Sequence, residues 1–336
     1  MQWEEEMCII SGSYRSGEGK PPRTTVELWC RARSGHSVTL LVNGLRPYVV
    51  IALPGKPRPA SEANSALDYL RSRDWAVNVS PIGDKWTQDG IKPHWKVEVP
   101  QPWMITSGPN IRKILKESWE VSSADILFER RLLLDYDLGP HISACGEVLW
   151  AGERAPIEVR DDDTGDRTVA AGRIAEAGGS GLYPTDMVVS CTLEDLAKVD
   201  PFRTPFVSFS FDLETSIQSN RILCAAAVID RGGERSEHTF QGDEGDIMEG
   251  LTSLVHSEDP DIITGYNIDN FDLPRMEERS EFIDTESELD RASLLGWGRV
   301  PVNEAEVKRG WNKPGRVFPS RAQNRVWTIK GRIPLD

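Results

Sequence analysis

The residues with the clearest chemical content are Asp212, Glu214 and Asp272. Asp212-Leu213-Glu214 closes a stretch, Phe206–Glu214, in which Val207, Phe209, Phe211 and Leu213 alternate with Ser208, Ser210, Asp212 and Glu214. That period of two predicts a strand with both acids on one face, beyond two small serines that leave room above the sheet. Two carboxylates so close repel, and in isolation one tends to stay protonated. A hard divalent cation, which prefers oxygen ligands, removes the conflict. Asp272 lies in Gly265-Tyr266-Asn267-Ile268-Asp269-Asn270-Phe271-Asp272-Leu273-Pro274, where a short buried strand, Ile262-Ile263-Thr264, runs through a glycine turn into a helix starting near Phe271. Asp272 would fall in the first helical turn, where the dipole favours negative charge. Taken alone it reads first as decoration of the helix end, and Asn270 has the same ambiguity as an N-cap. An isolated Asp-x-Glu is common on exposed strand ends, so the chemistry rests on the conjunction.

The elements that must position these acids are legible around them. Arg221–Asp230 is nearly all apolar and predicts a strand buried on both sides. Glu237–Gln241 predicts a third strand. Ile247, Leu251, Leu254 and Val255 recur at helical spacing, and Asp259-Pro260 stops that helix. Hairpin strands, a crossover helix, another strand and another helix imply a mixed sheet flanked by helices. Before this, residues 1–145 read as a mixed α/β domain. Its strands are expected at Thr25–Arg31, Ser37–Val42, Tyr48–Ala52 and His94–Val99. Its helices are expected over Glu62–Arg73, capped by Ser61, and from Pro109 to Trp119. Residues 146–205 form a connector with exposed turns at Asp161–Asp166 and Gly178–Gly181. The fold class is therefore α/β (α+β), with domains at 1–145, 146–205 and 206–336.

Composition narrows the classes. The 336 residues carry 39 Lys+Arg against 53 Asp+Glu, a net charge of −14, which argues against a protein whose main task is gripping phosphates. A carboxylate site that holds metal ions can still be acidic, because the cations supply the local positive charge. No apolar run approaches the ~20 residues of a membrane span. The N-terminus, Met1-Gln2-Trp3-Glu4-Glu5-Glu6, is acidic where a signal peptide is basic, so a cytoplasmic protein is expected. Cys8, Cys30, Cys145, Cys191 and Cys224 are scattered without a Cys-x-x-Cys pair, against a structural zinc site and in keeping with a reducing compartment.

Strand-borne Asp-x-Glu followed by Tyr-Asn-x-x-x-Phe-Asp resembles the first two exonuclease motifs of family B DNA polymerases. The words Ser210–Thr215 and Asp259–Asn267 carry that likeness. Leu45-Arg46-Pro47-Tyr48, Ala124–Asp135 and Lys330–Asp336 are similar to further segments of archaeal members. The likeness is loose over 146–205 and weaker over 282–325.

The resemblance implies an RNase H-like 3′→5′ proofreading exonuclease domain behind an N-terminal template- or DNA-binding domain. It implies that Asp212 bridges two Mg²⁺ or Mn²⁺ ions, that Glu214 holds the ion activating the attacking water, and that Asp272 serves the second ion. Two such ions stabilise both the entering and leaving oxygens of an in-line phosphodiester hydrolysis. Tyr266 and Asn267 either shape the site or contact the frayed strand, with packing as an equal role for Tyr266. Pro47 and Ile105, with Phe128 and Arg131 near the rim, match the pocket with which archaeal relatives catch template uracil; the same residues are equally read as core. The family's third motif, Tyr-x-x-x-Asp, is not found. The exonuclease domain is thus expected to be incomplete, with Asp336 structural, and the chain alone to be a poor or inactive nuclease lacking the polymerase site. The alternatives are a non-catalytic template-binding module or a subunit of a split polymerase, with a C-terminal polypeptide as partner, and a free-standing exonuclease of the same superfamily.

Overall fold

The computed structural model describes residues 2–17, 24–151, 157–160, 167–170, 183–286, 294, 296–299, 315–316 and 325–336. The chain divides into two compact units, and neither is contiguous. The first comprises Met1–Gly12, Leu28–Leu41 and Leu138–Asp336; the second comprises Ser13–Glu27 and Val42–Asp137. Residues 1–12 and 28–41, expected in a first domain ending at 145, therefore group with the acidic motifs. The turns expected at Asp161–Asp166 and Gly178–Gly181 lie outside the described residues.

The first unit contains two sheets. In one, β1 (Gln2–Ser16), β2 (Thr24–Ala32), β3 (Ser37–Asn43), β11 (Met187–Thr192) and β8 (His141–Ala151) follow one another, and β1 pairs back onto β8 with Trp3 opposite Gly146 and Met7 opposite Ile142. The ring closes, leaving these five strands no free edge. Short strands β9 (Ile157–Arg160), β10 (Arg167–Ala170) and β12 (Leu196–Lys198) attach outside it. β17 (Gly315–Arg316) and β18 (Arg325–Val326) form a separate ribbon.

The second sheet holds the acids. Its order is β15 (Glu234–Gln241), β14 (Ile222–Arg231), β13 (Val207–Thr215), β16 (Ile262–Thr264), β19 (Ile333–Leu335). The first three strands are antiparallel neighbours, and β16 and β19 run parallel to β13. The alternation of β13 buries Val207, Phe209, Phe211 and Leu213 in one apolar core with Ile247, Met248, Leu251 and Val255 of α5 (Glu244–Glu258) and Leu273 and Met276 of α6 (Asp272–Glu286). Phe209 and Phe211 stack at 5.5 Å, and the Trp297 ring meets both edge-on at 5.7 and 5.3 Å. Strand β14 departs from expectation. Its Ala225, Ala227 and Ile229 are buried, but Leu223 is 52% exposed and Ala226 is also exposed, so only one face is covered. A continuous apolar run cannot distinguish these two cases.

At the stop of α5, Asp259 adopts a left-handed conformation (φ 46°) and opens a buried ionic cluster. Arg31 grips Asp261 with two bonds of 2.8 and 2.9 Å, and Arg299 donates to Asp259 at 2.8 Å and to Asp261 at 2.9 Å. Arg332 donates to Asp259 at 2.8 Å. Asp261 also accepts from the Val207 amide at 2.9 Å, which pins the start of β13. All five side chains are buried. Despite the unfavourable effect of burial, the surrounding guanidinium groups of Arg299, Arg332 and Arg31 hold the Asp259 carboxyl far below the usual carboxylate range.

The second unit is a four-stranded sheet, β5 (Asn78–Thr87), β6 (Gly90–Glu98), β4 (Tyr48–Ala52), β7 (Glu120–Ser122), among the described residues. Val49, Ile51, Trp95 and Val97 pack against Leu67 and Leu70 of α1 (Asn64–Arg71) and Ile111 and Leu115 of α3 (Ile111–Lys116). Ser61 does not cap α1 as expected; a 3-10 turn over Ala60–Ala63 follows Pro59, and the helix grows from it. α3 is capped by Asn110, whose side chain accepts from the Lys113 amide at 3.1 Å. Two further helices, α2 (Trp103–Thr106) and α4 (Phe128–Asp135), complete the unit.

Candidate active site

Asp212 and Glu214 sit near the C-terminal end of β13 on the face opposite its core residues, and both are exposed. Their cross-strand neighbours are Ala226 and Cys224, small side chains that keep the space above the acids open. The parallel neighbour β16 ends level with Ser210, and the chain then turns at Gly265. A Cβ there would lie 2.5 Å from the Phe211 carbonyl oxygen and 2.5 Å from Ile268 Cγ2, so only glycine lets the turn pass this close to β13. The turn is closed by Asn267 at φ 61°, whose carbonyl accepts from the Phe271 amide at 3.0 Å and whose side chain accepts from Asn270 Nδ2 at 3.0 Å.

This turn delivers Asp272 as the first residue of α6. Its side chain is 1% exposed, and Oδ1 accepts from the Leu213 amide at 3.1 Å. The third acid is therefore bonded to the backbone between the other two. Burial, opposed by the Leu213 bond and reinforced by the negative charges of Asp212 and Asp336, pushes the Asp272 carboxyl up to about 7. Asp269 is also raised, by burial and then by Asp336. Asp336, expected to be structural, directly follows β19 beside β16 and adds negative charge to this end of the sheet. Nothing in its local sequence marks it; the parallel register brings it there.

The donor set fits a hard divalent cation: carboxylate oxygens from Asp212, Glu214 and Asp272, with the buried member raised in a way that a positive charge would relieve. Among the described residues no three His, Cys, Asp or Glu side chains are drawn together closely enough to form a ready-made ion cage. Tyr266 is 91% exposed beside this site, so it does not pack in the core. Asn267 is committed to the turn.

In the second unit, Pro47, Ile105, Phe128 and Arg131 line one cavity of about 230 Å³. Pro102, Trp103 and Tyr14 share its wall, and Tyr14 meets Phe128 edge-on at 5.7 Å. Arg131 is 3% exposed, lies 3.8 Å over the Tyr48 ring and donates to the Ser123 carbonyl, while Tyr48 donates to Asp135 at 2.9 Å. Phe128 and Arg131, expected near the rim, are both buried. Tyr48 and Trp103 were not anticipated as part of this wall.

Residues 187–336 match the family described as "DNA polymerase family B, exonuclease domain". The DNA polymerase of Archaeoglobus fulgidus is 28% identical over 279 residues, covering 82% of this chain and 30% of that protein. The DNA polymerase delta catalytic subunit of Arabidopsis thaliana is 23% identical over 385 residues, covering 98% and 32% respectively. The structure of the family B DNA polymerase from Pyrobaculum calidifontis superposes with a TM-score of 0.63 at 19% identity, covering 98% of this chain and 36% of that one, which shows a shared fold. The chain thus spans about a third of the length of these relatives. Residues 187–336, which match the exonuclease domain of family B DNA polymerases, include Asp212, Glu214 and Asp272.

Proposed function

We propose that the site hydrolyses the terminal phosphodiester at the 3′ end of DNA, releasing deoxynucleoside 5′-monophosphates, as the proofreading part of a DNA polymerase. The observation that carries this reading is the bond from the Leu213 amide to Asp272, which seats the buried acid between Asp212 and Glu214. Two Mg²⁺ or Mn²⁺ ions, when bound, would supply the charge that stabilises the attacking and leaving oxygens. Asp212 would hold both ions, Glu214 the one nearer the attacking water, and Asp272 the other. Burial of Asp272 keeps its oxygen fixed without competition from water, and exposure of Asp212 and Glu214 leaves their side open to a strand. Tyr266 stands free to stack on an unpaired base.

The partner is DNA, presented as a single-stranded 3′ end, and a polypeptide carrying a polymerase portion is the protein partner this reading expects. No helix among the described residues is long and apolar enough to cross a membrane. A cytoplasmic setting accords with the free cysteines. The test is degradation of a 5′-labelled single-stranded oligonucleotide in Mg²⁺ or Mn²⁺ by the wild type and by Asp212→Ala. A ladder of shortened products from the wild type, absent in the variant, supports the reading. Equal degradation by both proteins overturns the assignment of Asp212.

A second reading concerns the other unit, where the cavity lined by Pro47, Ile105, Phe128 and Arg131 has the size and mixed polarity for one nucleobase. It supports a template-binding, uracil-sensing role. Tighter binding of a uracil-containing than of a thymine-containing single strand, abolished by filling the cavity with Ala124→Trp, is the expected result.

A further inference from the structure

One residue of β14 is turned out of line beside the acids. Ala225, Ala227 and Ile229 face the apolar core, so regular alternation would send Leu223 there too. The pairing with β13 instead slips by one residue: Glu214 lies opposite Cys224, but Thr215 lies opposite Ile222. This bulge gives the core position to Ile222, which is fully buried, and turns both Leu223 and Cys224 away from the core. Leu223 is left 52% exposed, next to the direct cross-strand neighbour of Glu214. Bulges re-aim side chains, often beside active sites, and this one puts an apolar side chain at the open end of the carboxylate strand.

The turn after Thr215 adds a second apolar side chain. The Ser216 amide donates to the Arg221 carbonyl at 2.8 Å, the Asn220 amide to the Ser216 carbonyl at 2.9 Å, and Asn220 Nδ2 to Glu278 of α6 at 3.4 Å. Ile217 stands on this braced turn, 99% exposed. From Thr215 to Ile229 the only charged residue is Arg221. The acids that reach the turn, Asp243 and Glu278, are held by Arg221 at 3.3 Å and by Arg275. Position selects the occupant. β14 and β16 flank β13 on opposite sides. Because β13 and β16 are parallel, the turn bearing Ile217 and the turn bearing Tyr266 leave the same end of the sheet. Two strand spacings, about 10 Å, separate β14 from β16 there. The acids thus lie between a freely exposed aromatic ring on one flank and two exposed aliphatic side chains on the other. A nucleobase, with two apolar faces, is the part of a DNA end that such flanks cover.

We propose that Leu223 and Ile217 form an apolar ledge for the base of the 3′-terminal nucleotide, so that the site selects ends whose last base is unpaired. The inference rests on the hydrolytic reading above and names the residues that choose its substrate. An unpaired base removes apolar surface from water by lying on the ledge, whereas a paired base already has its faces covered in the duplex. Binding of a fluorescent oligothymidylate is measured by anisotropy in Ca²⁺, a hard ion suited to the same oxygens, and strand length is checked afterwards. The same strand lacking its 3′-terminal base is the comparison. Wild type should prefer the complete strand by roughly tenfold or more. Leu223→Ser should cut that preference by about threefold or more. Leu223→Met should keep it, since a thioether chain still packs on a base. Both variants should retain the wild-type circular dichroism, because the side chain lies outside the core. Equal binding of the two strands by wild type, or a preference unchanged in Leu223→Ser, would overturn the proposal. So would a Leu223-dependent change in sedimentation without DNA, which makes the ledge a contact between copies of the chain. A Leu223-dependent preference with no shortening of the strand in Mg²⁺ upholds the ledge and sinks the hydrolytic reading of this chain. Shortening without any preference does the reverse.

Discussion

Replacing Asp272 by Asn should stabilise the protein at pH 8 while destroying the proposed activity. In the fold the Asp272 carboxyl is raised to about 7, chiefly by burial and then by Asp212 and Asp336. In the unfolded chain it titrates near ~3.9. Between these values the folded state binds a proton the unfolded state does not, so stability falls as pH rises from about 4 to about 7. A separation of about three units at ~1.4 kcal/mol each makes the ionised carboxylate cost roughly 4 kcal/mol above pH 7. Asparagine carries no charge, and its Oδ1 still accepts from the Leu213 amide, so the variant avoids that cost and keeps the bond. At roughly 2–4 °C per kcal/mol for a unit of this size, Tm in EDTA should rise by about 8–16 °C at pH 8 and by little at pH 4. Calorimetric unfolding at the two pH values is the assay. Adding Mg²⁺ at pH 8 should then raise the Tm of the wild type more than that of the variant. An Asp272→Asn protein no more stable than wild type at pH 8, or equally shifted at both pH values, would refute the reasoning.

Other perturbations reach different parts of the molecule. Asp261→Asn removes one of two negative charges set among three buried arginines, and should cost about 3–5 kcal/mol, read as a lower urea midpoint. Breaking the exposed Asp230–Arg235 pair by Asp230→Ala should leave the same midpoint nearly unchanged, because water screens the pair. Gly265→Ala places a Cβ 2.5 Å from the Phe211 carbonyl, so it should displace the turn that carries Asp272 and lower hydrolysis by at least tenfold without unfolding the protein by circular dichroism. Because the depressed Asp259 carboxyl contributes stability above its unfolded pKa, Asp259→Asn should be much less stable than wild type at pH 7, and the gap should narrow as the pH is taken well below 4.

Local periodicity made the site readable and hid its setting. Four apolar and four polar residues in strict alternation define β13, and with it the shared face of Asp212 and Glu214. The glycine turn after Ile262–Thr264 placed Asp272 on a helix start because both signals are local. By contrast Asp259 reads as an ordinary helix stop and Asp261 only as part of a motif word, although both are buried acceptors for Arg31, Arg299 and Arg332. Their partners lie far away along the chain, and no local pattern announces a buried charge that is neutralised from such a distance. Strand β1 was missed for a related reason. Its Glu4-Glu5-Glu6 run suppresses any apolar alternation, yet it closes a ring through Trp3 and Met7.

The non-contiguous first unit constrains how the molecule is made. Its strands β1 to β3 leave the ribosome well before their partners β8 and β11, and Arg31 waits for an aspartate translated 230 residues later. The intervening unit of residues 42–137 holds its partners locally and can collapse while synthesis continues. For that interval β1 and β2 remain open strands with unsatisfied edges, which is when nascent chains most readily pair with the wrong neighbour. A protein started at residue 206 would carry Asp212, Glu214 and Asp272 but leave Asp261 without its bidentate guanidinium, so the sheet that bears them cannot be lifted out of the chain by cutting at its first strand.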